Sequence, residues 1–182
     1  MKTVYILFFC FLFVSITKAQ DRFLTKNGAI TFFSSAPMED IKADNNQVLS
    51  IVDASNGNMA ISILMKSFMF DKALMQEHFN ENYVESDKYP KATFKGQILS
   101  FDAVNNTAFK VKVKGNISIH GKTKEITIPA TITKTENGIT MKGEFYLKVA
   151  DFDIKIPAVV AKNIAQKIKV SFNFNHKPYK KK

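Results

Sequence analysis

From Phe109 to His120 the chain alternates. Phe109, Val111, Val113, Ile117 and Ile119 share one parity, and Lys110, Lys112, Lys114, Asn116, Ser118 and His120 take the other. Side chains in a strand point to opposite faces in turn, so this is a long strand with one buried and one wetted face. Met141, Phe145, Leu147 and Val149 alternate in the same way with Lys142, Glu144, Tyr146 and Lys148. So do Ile168, Val170, Phe172 and Phe174 with the lysines and asparagines between them. Strands with one dry face must bury it, and closing the sheet on itself leaves no free edge. The pattern predicts a mainly β, antiparallel barrel of about eight strands in a single domain, near the size that is filled by side chains or holds one small ligand.

Turn signals punctuate the pattern. Asn45-Asn46, Asn56-Gly57, Asn105-Asn106, Gly121-Lys122 and Asn137-Gly138 each divide two apolar runs, and Asn and Gly tolerate the positive φ angles of tight hairpins. One region leaves the alternation. Between Asp71 and Tyr83, Leu74, Met75, His78, Phe79 and Tyr83 recur at helical spacing, which predicts one amphipathic helix over Lys72–Tyr83 with Asp71 as its N-cap. Tyr89-Pro90 returns the chain to a strand. A second short helix is expected from Pro157, with Val160 and Ile164 on its inner side.

The first residues stand outside this barrel. Lys2 precedes an almost wholly apolar run, Val4 to Ile16, and Thr17 and Ala19 are small residues at −3 and −1 of a cleavage site. This is the pattern of a secretory signal peptide over residues 1–19, too short for a membrane span. The expected location is therefore periplasmic or secreted, with no stable membrane insertion. Cys10 is the chain's one cysteine and falls in that segment, so the mature chain needs no disulfide. Loss of Lys2 and Lys18 lowers the formal charge of +10 to +8. Arg22 is the only arginine; bidentate reading of bases and phosphates favours arginine, so nucleic acid is not an expected partner. The lysines read as a solvated outer face. The barrel domain is expected over residues 20–176, followed by a basic, disordered tail over 177–182, and a homodimer is left open.

Little in the sequence suggests catalysis. His78, His120 and His176 are the only histidines, none at metal-ligand spacing with another His or with Cys. His120 is out of phase with the buried set and should face solvent or cap a turn; His78 falls on the inner side of the helix, where a satisfied, half-buried histidine is expected rather than a catalytic one. No nucleophile-elbow, phosphate-loop or zinc-protease motif occurs. No enzyme activity, cofactor or metal is expected. The positive signal is apolar: Phe68, Phe70, Phe79, Phe94, Phe109, Phe145, Phe152, Phe172 and Phe174 should line or cap the interior, with Met65, Met75 and Met141. Met and Phe fill irregular space well, so a hollow carrier and a filled-barrel structural or partner-binding module both fit this composition.

Three stretches carry a family resemblance. Tyr89, Pro90, Ala92 and Phe94 form a tyrosine-proline-x-alanine-x-phenylalanine step. Gly115, Ile117, Ser118, Ile119, His120, Gly121 and Thr123 follow a G-x-L-T-I-H-G-x-T strand, with Ile for Leu and Ser for Thr. Asp151, Phe152 and Ile154 form a late acidic-phenylalanine-x-isoleucine segment. Together with the block Glu77 to Gly96 they resemble the YceI family. The resemblance implies an exported, lipocalin-like barrel, and a long apolar lipid, isoprenoid-like, as ligand. On that reading the apolar lining comprises Phe68, Phe70, Leu74, Met75, Phe79, Phe94, Ile98, Phe109, Val111, Val113, Phe145, Phe152 and Phe172, with His78 and Tyr83 at its polar edge.

Overall fold

The computed structural model describes residues 22–160 and 164–179. Eight long strands form a closed antiparallel barrel: β1 (Arg22–Ser35), β2 (Asp40–Asp53), β3 (Asn58–Leu64), β5 (Lys91–Ile98), β6 (Phe109–Ile119), β7 (Lys122–Thr135), β8 (Gly138–Lys148) and β9 (Lys167–Tyr179). The two-residue β4 (Met69–Phe70) pairs with β2 outside this ring. The order is β1-β9-β8-β7-β6-β5-β3-β2, and β1 closes the ring by pairing with β2. The expected signal segment lies outside the described residues.

In β6, Val111, Val113 and Ile117 are buried while Lys110, Lys112 and Lys114 are exposed. Ile139 and Met141 in β8, and Val170, Phe172 and Phe174 in β9, likewise face inward. A one-residue slip would have inverted every one of these positions.

Asn45-Asn46 is not a turn. It lies inside β2, where Ala43 and Asn45 are buried on one parity and Val48, Ser50 and Val52 on the other. An extra residue has shifted the phase, and β1 shifts opposite it, between Thr25 and Gly28. This is a β-bulge, which bends the paired strands and suits a barrel wall that must curve. Asn45 is fully buried; its Nδ2 donates to the Leu64 carbonyl at 3.1 Å and its Oδ1 accepts the Gln47 N–H at 2.9 Å. Two further expectations need correction. β9 runs to Tyr179, with Lys177, Pro178 and Tyr179 opposite Leu24, Phe23 and Arg22, so these residues are strand and not disordered tail. Asp71 does not cap the helix, which begins after Lys72 with no side-chain cap.

The helix is present. It comprises α1 (Ala73–His78) and a continuing turn, Phe79–Tyr83, that widens so that the Val84 N–H donates to the Phe79 carbonyl at 3.0 Å. The second helix expected after Pro157 is a single tight turn, Ala158–Val160.

The two ends of the barrel differ. At one, Phe101 and Val104 from the β5–β6 connection close over Val48, Val52, Ile98, Val111, Ile132 and Ile139, all buried. The other carries the β1–β2 hairpin, the helix, the β6–β7 hairpin and the long β8–β9 connection.

Candidate functional site: an apolar cavity behind the helix

The half of the barrel beneath the helix encloses a cavity of about 510 Å³. Its inner limit is marked by Met59, Val113, Ile128, Met141 and Phe174. Its walls include Ile30, Phe94, Ile117, Phe145, Val170 and Phe172, and its mouth is bordered by Glu39, Ile41, Lys72, Leu74, Lys148, Ile154, Ile156, Val160 and Ile164.

Backbone close to the wall helps keep this space open. Gly96 and Gly115 are cross-strand partners, and a Cβ on either would come within 2.7 Å of the Phe94 ring tip. Phe94 therefore lies down against the wall in the room these two glycines leave. Phe172 does the same at Gly143, where a Cβ would meet its ring at 2.7 Å. Rings folded over glycine contribute buried apolar area without filling the lumen.

The helix is held to the barrel by an aromatic cluster. Phe32 lies 5.4 Å from Phe68, 5.5 Å from Phe70 and 5.4 Å from Phe79, centroid to centroid, and Phe70 and Phe79 are 5.0 Å apart. Such pairs add about 0.5–1.5 kcal/mol each beyond area burial. No residue of α1 is fully buried, and Leu74 is 61% exposed although it borders the mouth. A helix anchored mainly at one end by aromatic contacts makes a light lid. The Glu39–Lys72 ion pair, 2.6 Å, ties the lid to the β1–β2 hairpin; exposed pairs of this kind contribute little, about 0–1 kcal/mol.

Phe68, Phe70, Leu74, Met75, Phe79, Phe94, Val113, Phe145, Phe152 and Phe172 all border the cavity, as do His78 and Tyr83. Ile98, Phe109 and Val111 do not. They share the inward parity but sit toward the closed end, where Ile98 and Val111 are packed solid and Phe109 is half-buried. His78 is exposed at the rim and not half-buried. Tyr83 is half-buried, and that burial pushes its hydroxyl pKa up, so it remains a neutral donor at the cavity edge. Sequence reasoning overlooked Phe32, although its parity with Ile30 was available, and Ile154 and Ile156 in the β8–β9 connection, which no strand periodicity marks.

His120 departs from expectation. It sits in the β6–β7 hairpin at φ +50° with its side chain only 12% exposed, so it is neither solvent-facing nor a free cap. Nδ1 lies 3.1 Å from the Phe152 carbonyl oxygen and Nε2 lies 2.7 Å from Glu85 Oε2. The Tyr89 ring packs edge-on at 4.6 Å. Glu85 (φ +44°) and Asp153 (φ +59°) join His120 among the four described non-glycine residues with left-handed backbone. Each such residue costs on the order of 1–3 kcal/mol and persists only where its surroundings impose it. The three motif stretches, represented by Tyr89, His120 and Phe152, thus meet at one point of the mouth. The contacts that join them lie between segments, which explains their spacing along the chain.

His176 is the other buried histidine, 1% exposed at the closed end. Its Nδ1–H donates to the Ile139 carbonyl at 3.0 Å and Nε2 accepts from Ser50 Oγ at 2.8 Å. Burial pushes its pKa down, partly opposed by the bond to Ile139. It is a neutral structural group. Its parity with Phe172 and Phe174 marks it as inward-facing.

A family model, the YceI-like domain, matches residues 12–176. The fold is similar to a polyisoprenoid-binding domain from Saccharophagus degradans implicated in plant cell wall breakdown (TM-score 0.75, 13% identity, 88% of this chain and 99% of that one). It is also similar to BcnA of Burkholderia cenocepacia (TM-score 0.68, 19% identity, 80% and 94%). A YceI protein of Campylobacter jejuni is a more distant likeness (TM-score 0.51, 15% identity, 86% of each chain). No curated protein matches the sequence. With the barrel, its cavity and the three converging motif stretches in place, the match over residues 12–176 shows that this chain belongs to the YceI-like family.

Proposed function

We propose that this protein is an exported carrier that holds one long apolar lipid chain, isoprenoid-like, in the barrel cavity. The observation that carries this reading is the cavity itself, about 510 Å³ and lined almost wholly by aliphatic and aromatic side chains. Ligand sites are typically about 300–1,000 Å³, apolar, with a few polar groups that fix orientation. Apolar walls around an empty space of this size go without partner atoms, at roughly 24 cal/mol for each Å³ of closed void, so an apolar chain that fills it would stabilise the barrel. The relative described as polyisoprenoid-binding shares the fold, which agrees with this choice of ligand.

Phe68, Phe70, Met75, Phe79, Phe94, Val113, Phe145, Phe152 and Phe172 would contact the chain, with Leu74 at the rim. Tyr83 and His78 would meet its polar end. Export follows from the leader segment, and no helix among the described residues is long and apolar enough to cross a membrane. The test is uptake of a polyprenol by ligand-stripped protein, compared with an Ile128→Trp variant that fills the lumen. Saturable one-to-one uptake that the variant loses supports the carrier reading. Equal uptake by both proteins places binding elsewhere and refutes it.

A further inference from the structure

The barrel wall is not paired along its whole height. β7 and β8 are ladder partners only from Thr131 opposite Lys142 to Thr135 opposite Gly138. Yet β7 stays paired with β6 as far as Lys122, and β8 with β9 as far as Lys148. Between residues 122–130 of β7 and 143–148 of β8 the ladder is therefore missing. Pro129 marks where it fails. The carbonyl of Lys112, its partner on β6, accepts from Leu99 on the β5 side, so the ladder groups of Pro129 point toward β8. Proline has no N–H to give there. The turn Val149–Phe152 packs against both strands at this gap, with Phe152 buried beneath it.

The strap that starts with this turn is fastened at its underside by His120. Both of the histidine's partners, the Phe152 carbonyl and the Glu85 carboxylate, are acceptors. A neutral imidazole has one N–H and satisfies only one of them; its other nitrogen then presents a lone pair to an oxygen. Both bonds form only if the pair holds one more proton than a neutral imidazole beside a carboxylate carries, whichever group bears it. Other charges face this point. Lys88 is 3.9 Å from Glu85, and Lys122 and Lys124 on β7 reach Asp153 at 3.4 Å and Asp151 at 2.6 Å. Lysine and aspartate ordinarily keep their charges between about pH 5 and pH 8, the range in which histidine changes. The Tyr89 ring packs edge-on against the imidazole at 4.6 Å.

We propose that residues 149–160 form a proton-held latch over a side opening between β7 and β8, through which the apolar ligand enters and leaves. The latch is closed while the His120–Glu85 pair holds its extra proton. It loosens when that proton is lost, because the one remaining N–H goes to the charged Glu85 acceptor and the Phe152 carbonyl is left facing a lone pair. The entry route rests on the carrier reading; the latch itself does not. Amide hydrogen exchange of the peptide covering 149–160, corrected for intrinsic rates, tests the latch at about pH 5 and about pH 8. Opening should rise at the higher pH, by no more than about tenfold for each pH unit, the limit for one linked proton. In Glu85→Gln the amide donates to neutral Nε2 while Nδ1–H still reaches Phe152, so the strap should stay protected at both pH values. His120→Ala should leave it open at both.

Uptake of the apolar fluorophore N-phenyl-naphthylamine should accelerate with opening in the wild type and lose its pH dependence in Glu85→Gln. Equal protection of the wild-type strap at both pH values overturns the proposal. So does a Glu85→Gln variant that keeps the wild-type response, or uptake that ignores the opening of the strap. A fluorophore that never binds, beside exchange that responds as expected, counts against the carrier reading and for the latch.

Discussion

Phe94 and Phe101 are equally buried, at 5% and 6% exposure, but stand in different surroundings. Phe94 has the Gly96–Gly115 backbone on one side and the cavity on the other. Phe101 is at the closed end, against the Gly57 backbone and under the Lys134 ammonium at 5.1 Å, and does not border the cavity. Truncation of either to alanine loses a similar transfer term, about 1.5–3 kcal/mol. Phe101→Ala adds the full cost of a new void in packed surroundings and should total about 3–5 kcal/mol. Phe94→Ala extends a void that already exists and loses contacts mainly on its wall side. Its cost in ligand-free protein should be about 2–3 kcal/mol, at least about 1 kcal/mol less than Phe101→Ala. Urea unfolding of both variants, stripped of bound lipid, measures the difference directly. Loading with a polyprenol should narrow the gap, because Phe94 then has a partner on its open side. A Phe94→Ala penalty equal to or larger than that of Phe101→Ala in the stripped protein would refute the hollow-barrel reasoning.

Further outcomes follow from the same structure. His120→Ala should cost about 1–3 kcal/mol, and not the half kilocalorie or less of a surface site, because the Phe152 carbonyl and Glu85 lose their shared partner; chemical denaturation at neutral pH checks it. His176 has a folded pKa below its ordinary value near 6.5, so the unfolded chain binds more protons and stability falls as pH drops below that value. Between pH 7 and pH 5 this one group can remove at most about 2 kcal/mol, and His176→Gln should lose that part of the acid sensitivity. Lys112→Ala, on the wetted face of β6, should change stability by no more than about 0.5 kcal/mol. Amino-terminal sequencing of the exported protein should begin at Gln20; an intact Met1 on an intracellular protein would remove the grounds for export.

Where strands run straight, the sequence is legible. β6, β8 and β9 keep one period-two phase along nearly their whole length, so their inner and outer faces can be read from parity. β1 and β2 hide theirs because the phase flips at their bulges, and in β2 the asparagine pair at the flip looks like a turn. Position along the barrel axis is a separate problem. Val111 and Val113 have the same parity and chemistry, yet Val111 is in packed core and Val113 borders the cavity. What separates them is Phe101 and Val104, which arrive from a connection and plug one end only. Hollow and filled barrels draw on the same residues, so composition could not choose between them. The His120 contact is of a third kind: its partners come from residues 85 and 152, brought together by three left-handed backbone positions that no periodicity announces.

The central claim is that an apolar chain occupies the barrel. Native mass spectrometry of the protein, purified without detergent from its own host, tests this most directly. A discrete apolar adduct of one molecule per chain, released on unfolding and absent from an Ile128→Trp variant, is the predicted result. Bare protein under several growth conditions, with no uptake of added polyprenol after stripping, would contradict it.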